Sequence, residues 1–108
     1  MAKLECTVPG RLEDLRVHIE HGIVNGSISA SIEDGTDYRC GGTRVSVRVF
    51  ERYSYLGKNR VSLTVTLIQH ENDPVYVCGI TSGGSQGMFL KINTFGEEAF
   101  LEKLRELL

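Results

Sequence analysis

The sequence predicts an α+β domain in two layers: a curved antiparallel sheet carrying two helices on one face, in the order β-α-β(4 or more)-α. Three observations carry this. Several central segments alternate apolar and polar residues with period two, as strands with one covered and one wet face do. Two segments, one near each end, place apolar residues at helical spacing. The chain has 108 residues, the size of one domain (1–108), and a chain this long buries about 65% of the surface it exposes when unfolded. Helices and sheet must then share one core.

Lys3–Val8 reads as a short strand with Leu4, Cys6 and Val8 on one side, ended by Pro9-Gly10. Arg11–Val24 follows as a helix: Leu12, Leu15, Ile19 and Ile23 face the core, and Glu13, Asp14, Arg16 and Glu20 face away. Asn25-Gly26 supplies a helix stop with positive φ. Ser27–Glu33 is expected to bury Ile28, Ala30 and Ile32, and Asp34-Gly35 to turn a hairpin into a short return over Thr36–Cys40. After the break at Gly41-Gly42 come two long strands, Thr43–Tyr53 and Arg60–Gln69, joined through Leu56-Gly57-Lys58-Asn59. Within them Thr43–Phe50 buries Val45, Val47 and Val49 and turns out Arg44, Ser46 and Arg48. Arg60–Leu67 buries Val61, Leu63, Val65 and Leu67 and turns out Arg60, Ser62, Thr64 and Thr66. Asn72-Asp73-Pro74 leads into Val75–Ser82, apolar on both parities and therefore central in the sheet or covered on both faces. Gly83–Gly87 interrupts it, and Met88–Ile92 is a candidate further strand. Thr94 with Glu97 forms a capping box for a last helix that buries Phe100, Leu101, Leu104 and Leu108.

Composition is that of an ordinary globular domain, 41% apolar and 24% charged, with a net charge of −2. No stretch is apolar enough to span a bilayer, and Met1-Ala2-Lys3-Leu4-Glu5 lacks the order of a signal peptide, so a cytoplasmic location is expected. Cys6, Cys40 and Cys78 have no paired spacing and read as free thiols in a reducing compartment; no metal and no cofactor is implied. Charge is unevenly spread. Arg39 to Arg60 holds six basic residues against the single acid Glu51, while acids gather in the two helical segments.

The segments Asn25–Gly35, Phe50-Glu-Arg-Tyr-Ser54, Asn59-Arg-Val-Ser-Leu63, Thr81–Gly87 and Lys91–Phe100 resemble a family of small uncharacterised bacterial proteins, a domain of unknown function, over nearly the whole chain. The resemblance implies a stand-alone bacterial domain and brings no catalytic residue, substrate or cofactor. The element order also resembles a single repeat of the TATA-box-binding-protein-like fold and a small helix-grip fold of START-like lipid carriers, a likeness of topology that transfers no function.

No nucleophile elbow, HExxH or dinucleotide fingerprint is present, no base can be assigned to Ser82 or Ser85, and the chain is not expected to be an enzyme. His18 and His21, three apart on the first helix, read as exposed helix positions, and His70 lies near a turn. The glycine loop could form an anion nest but lacks the ending of a phosphate loop. The polar sheet face carries the most weight: arginines and short hydroxyls occupy it, and arginine clusters suit carboxylate, phosphate or a partner protein. The expected function is a binding or interaction module. Its candidate residues are Arg44, Arg48, Arg60, Ser62, Thr64, Gly83, Gly84 and Ser85, and its occupants an anionic small molecule, an acidic partner or a second copy paired through the sheet. A small-ligand or lipid carrier of helix-grip type is the alternative. Nucleic acid is disfavoured by the acidic isoelectric point of about 5.9, and no membrane is expected.

Overall fold

The computed structural model describes residues 1–54, 58–83 and 90–108, with side chains of the last segment described from Gly96 onward. Its elements are β1 (Ala2–Val8), α1 (Leu12–Asn25), β2 (Ser31–Cys40), β3 (Thr43–Ser54), β4 (Asn59–His70), β5 (Val75–Gly83) and α2 (Leu90–Leu107). The five strands form one curved, open antiparallel sheet in the order β1-β5-β4-β3-β2. Both helices lie on the same face, α2 over β1, β5 and β4, and α1 over β4, β3 and β2. The expected two-layer α+β fold is present, and Val75–Gly83 is central, between β1 and β4. No helix among the described residues is long and apolar enough to cross a membrane.

The core forms where the two helices meet the centre of the sheet. Val61, Leu63, Val65 and Leu67 of β4, Val75 and Val77 of β5 and Phe50 of β3 pack against Ile19 and Ile23 of α1 and Phe100, Leu101 and Leu104 of α2, all 2% exposed or less. Leu12 starts α1 without help from its N-cap residue, Arg11, whose side chain makes no capping hydrogen bond. The cap comes from the sheet: the Leu12 N–H donates to Gln69 Oε1 at 3.0 Å. The helices touch where His18 Nε2 donates to the Leu107 carbonyl at 3.0 Å.

Several local expectations are overturned. Asp34-Gly35 is not a turn. It lies within β2, beside a bulge at Glu33, and the hairpin turns instead at Gly41-Gly42, between the paired Cys40 and Thr43, with Gly41 at φ 57. Gly35 is mid-strand because Arg48 crosses it: a Cβ there would stand 2.7 Å from Arg48 Cδ. Ser27–Ala30 is turn rather than strand, so Ile28 is fully exposed and Ile32 half so. Gly26 closes α1 in a right-handed conformation, φ −80, not a positive one. α2 already includes Leu90–Ile92, so those residues are helix and not a further strand, while Met88 lies outside the described residues. Thr94 and Glu97 both fall inside that helix, so Thr94 does not stand at its N-terminus as a cap, and Glu97 is buried and pairs with the amino group of Met1.

The largest correction concerns facing. Directly paired residues share a face, and Arg44, Ser46, Arg48, Phe50 and Arg52 pair with Gln69, Leu67, Val65, Leu63 and Val61. The even residues of β3 therefore point at the helices, and Val45, Val47 and Val49 point away. Arg60, Ser62, Thr64 and Thr66 do lie on the outer face as expected. The proposed single arginine patch does not exist: Arg44 and Arg48 are on one side of the sheet and Arg60 is on the other.

Candidate functional site

The inner face changes character across the sheet. Under α2 it is aliphatic; under α1, on β3 and β2, it carries Arg44, Ser46, Arg48, Asp37 and Arg39. α1 answers with acids. Arg44 Nη1 donates to both oxygens of Glu13, at 2.7 and 2.8 Å, and Arg44 Nη2 to Gln69 Oε1 at 2.6 Å. Arg48 donates through Nε to Glu20 at 2.8 Å and through Nη2 to Asp37 at 2.9 Å. Arg16 also donates to Glu20, at 2.9 Å. Glu13, Arg16 and Glu20 thus face the sheet, not solvent as the sequence reading had them. This is a charged seam of arginine–carboxylate pairs, which positions the first helix. It leaves neither Arg44 nor Arg48 open on a surface.

The seam sets the local pKa values. Glu13 is held below its ordinary 4.5 by its own backbone N–H and then by Arg44. Asp37 is held below its ordinary 3.8 by Arg48 first and then by the neighbouring Ser46 hydroxyl. Arg48 is pushed up, by Asp37 first. Because the carboxylates are lowered in the folded state, the stability they lend is complete above their ordinary values and is lost as pH falls through the lower, folded ones. Urea midpoints should be flat from neutral pH down to about pH 5 and fall below about pH 4. Arg44→Ala and Arg48→Ala should flatten that acid limb, each by only a few tenths of a kcal/mol because the Glu13 and Asp37 side chains remain 44% and 60% exposed and are screened by solvent.

The outer face is built differently. The register lays it out in rows running β1, β5, β4, β3, β2: Thr7–Tyr76–Ile68–Val45–Tyr38, then Glu5–Cys78–Thr66–Val47–Thr36, then Lys3–Ile80–Thr64–Val49–Asp34. The three middle strands thus hold a grid of nine uncharged side chains, Tyr76, Cys78, Ile80, Ile68, Thr66, Thr64, Val45, Val47 and Val49. Charge begins at the rims, with Lys3 and Glu5 on β1 and Asp34 on β2. The Tyr76 hydroxyl donates to Glu5 Oε2 at 2.6 Å, which lowers the Glu5 pKa, raises that of Tyr76 and ties the phenol to the rim. One row further, Ser82–Ser62–Glu51–Ser31 is polar, and Arg60 beyond it pairs with Glu51 at 2.9 Å. No described helix packs on this side.

Of the candidate residues, Arg60, Ser62 and Thr64 share the outer face, Ser62 within 3.2 Å of the Ser82 hydroxyl. Arg44 and Arg48 belong to the seam, Gly83 ends β5 on the inner side, and Gly84 and Ser85 lie outside the described residues. The valines of β3 are the surface residues that sequence reasoning assigned to the core. Arg52, half-buried on the inner face, stacks 4.7 Å over the Phe100 ring, and burial lowers its pKa. Cys6, Cys40 and Cys78 are free thiols. No group of three or more metal-ligating side chains occurs among the described residues.

A family model described as a family of unknown function (DUF6054) matches residues 1–108. No curated protein and no solved structure matches the chain.

Proposed function

The chain belongs to this family of unknown function, which brings no activity with it, and we propose that it works as a protein-interaction domain whose open sheet face pairs with a second copy of itself. The uncharged grid of β5, β4 and β3 carries the reading. An aliphatic and hydroxyl surface spanning three strands without a charge is unlike an idle wet face, on which Lys and Glu are common. Five strands about 4.8 Å apart and four rows about 6.8 Å apart make a face of roughly 650 Å². Two such faces in contact bury about 1,300 Å², within the range of specific interfaces.

The register also supplies charge complementarity. A two-fold axis running along β4 between two facing sheets carries β1 of one copy over β2 of the other and keeps the rows in step. Lys3 then meets the second copy's Asp34, since both stand in the Ile80–Thr64–Val49 row. Ile80 meets Val49 and Cys78 meets Val47 across the interface. Face-to-face sheets accept such an arrangement with a rotation of about 30°.

The anionic-ligand and acidic-partner readings lose support with the arginine patch they relied on. The interior that a lipid carrier would need is occupied by Phe50, Phe100, Leu101 and Leu104. A bacterial, cytoplasmic setting is part of this reading, and the TATA-box-binding-protein-like topology adds nothing to it. Sedimentation velocity tests it. The parent chain should run as a dimer, and Val47→Glu should be monomeric with an unchanged circular dichroism spectrum, because Val47 points away from the core. Lys3→Asp should weaken the dimer and Asp34→Lys restore it in the same chain. A parent that stays monomeric at high concentration, or a dimer indifferent to Val47→Glu, overturns the proposal.

A further inference from the structure

The charged seam under α1 is not fully matched. Four guanidinium groups, Arg16, Arg39, Arg44 and Arg48, meet three carboxylates, Glu13, Glu20 and Asp37. Each carboxylate already serves an arginine: Glu13 bonds Arg44, Asp37 bonds Arg48, and Glu20 bonds Arg16 and Arg48. Arg39 is left over, with no ion pair among the described residues, and it stands directly opposite Arg44 on the inner face. Like charges placed so repel one another. Arg44 cannot turn away, because Glu13, Gln69 and the Glu71 carbonyl hold it.

Arg16, Arg39 and Arg44 also line one cleft, of about 290 Å³, between α1 and the end of the β2–β3 hairpin, together with Leu12, Glu13 and Asp37. Arg16 approaches from the helix and spends one nitrogen on Glu20; its other donors make no hydrogen bond among the described residues. Two incompletely paired arginines therefore border one space from two different walls.

We propose that this cleft binds the phosphate group of a small molecule, with Arg39 and Arg16 as its ligands. A carboxylate is planar and is satisfied by one guanidinium fork. A tetrahedral phosphate presents oxygens in several planes and can bridge two forks that are not coplanar, as a helix arginine and a strand arginine are. Bound there, the anion supplies the missing negative charge and relieves the Arg39–Arg44 repulsion. Glu13 and Asp37 on the same walls stay paired to Arg44 and Arg48 and limit the site to one compact group. Its arginines stand on the side of the sheet opposite the proposed dimer face, although Tyr38 and Val45, whose side chains belong to that face, also border the cleft.

The probe is inorganic phosphate, titrated into the full chain at constant ionic strength with chloride as the balancing salt and followed by amide and guanidinium NMR shifts. Saturable shifts at Arg39 and Arg16 are expected. Arg39→Gln and Arg16→Gln should each weaken binding about tenfold, and Arg60→Gln on the far face should leave it unchanged. Glycerol 3-phosphate should bind at least as well as phosphate, and acetate should not compete. Arg39 is exposed and its charge opposes Arg44, so its variant should be at least as stable as the parent. Shifts that follow ionic strength rather than phosphate, shifts equal in Arg39→Gln and the parent, or acetate binding as tightly as phosphate overturn the proposal.

Discussion

Replacing Gln69 by leucine should lower the unfolding free energy by about 3 kcal/mol, a large part of the stability of a domain this size. Gln69 is 2% exposed, and its amide is used at every position. Oε1 accepts from the Leu12 N–H at 3.0 Å and from Arg44 at 2.6 Å. Nε2 donates to the carbonyls of Gly10 and Asp73, both at 2.7 Å. One side chain thus caps α1, fixes the entry to that helix, pins the turn after β4 and holds the arginine that meets Glu13. Leucine fills nearly the same volume, so little of the loss is a cavity term. The cost comes from a helix N–H and two carbonyls that lose their Gln69 partner and from a guanidinium that keeps Glu13 but loses one acceptor. Urea unfolding should show a lower midpoint at an unchanged slope, and amide exchange at Leu12 should quicken before that of β4. A Gln69→Leu variant within about half a kcal/mol of the parent would mean that water replaces the amide without loss.

The element order was readable because each element carries its own period: Leu12, Ile19 and Ile23 for α1, Val61 to Leu67 for β4, Phe100, Leu101 and Leu104 for α2. The facing of β3 was not. Val45, Val47 and Val49 are the more apolar parity, and a local pattern places them inside. Facing, however, depends on pairing with β4, where Phe50 opposite Leu63 sends every even residue of β3 toward the helices. A strand can turn arginines inward only if charges wait for them, and those charges sit in another part of the chain. Glu13, Arg16 and Glu20 recur at helical spacing on one face of α1, so the uneven split of basic and acidic segments marked two surfaces that meet. It did not mark two ends of the molecule. The outer grid was unreadable for the same reason, since its valines were already assigned to the core. Gly35 misled in another way: Asp-Gly is strong turn chemistry, and only the path of Arg48 across β2 explains a glycine in mid-strand.

Gly79→Val should destabilise the domain by about 2–3 kcal/mol and leave the outer face unaltered. Gly79 is a buried position on the inner face of β5, opposite Val65. A Cβ there would stand 2.5 Å from Leu104 Cδ2 and 3.3 Å from Leu101 Cδ1. The missing side chain is what lets α2 settle onto the sheet, and both leucines are too tightly held, at 0% and 1% exposure, to swing clear. Alanine should cost less than valine, since one leucine methyl can give way to a single carbon. Leu104→Ala opens the contested space, so valine at position 79 should cost at least about 1 kcal/mol less in that background than in the parent, a coupling that a double-mutant cycle reads directly. Additive costs would mean that α2 is not seated through this contact. Self-association gives the second readout. Gly79 points at the helices while Cys78 and Ile80 on either side of it point outward, so a folded Gly79→Val chain should still form the dimer that Val47→Glu abolishes. The two variants then separate the layer that holds the domain together from the surface proposed to recognise its partner.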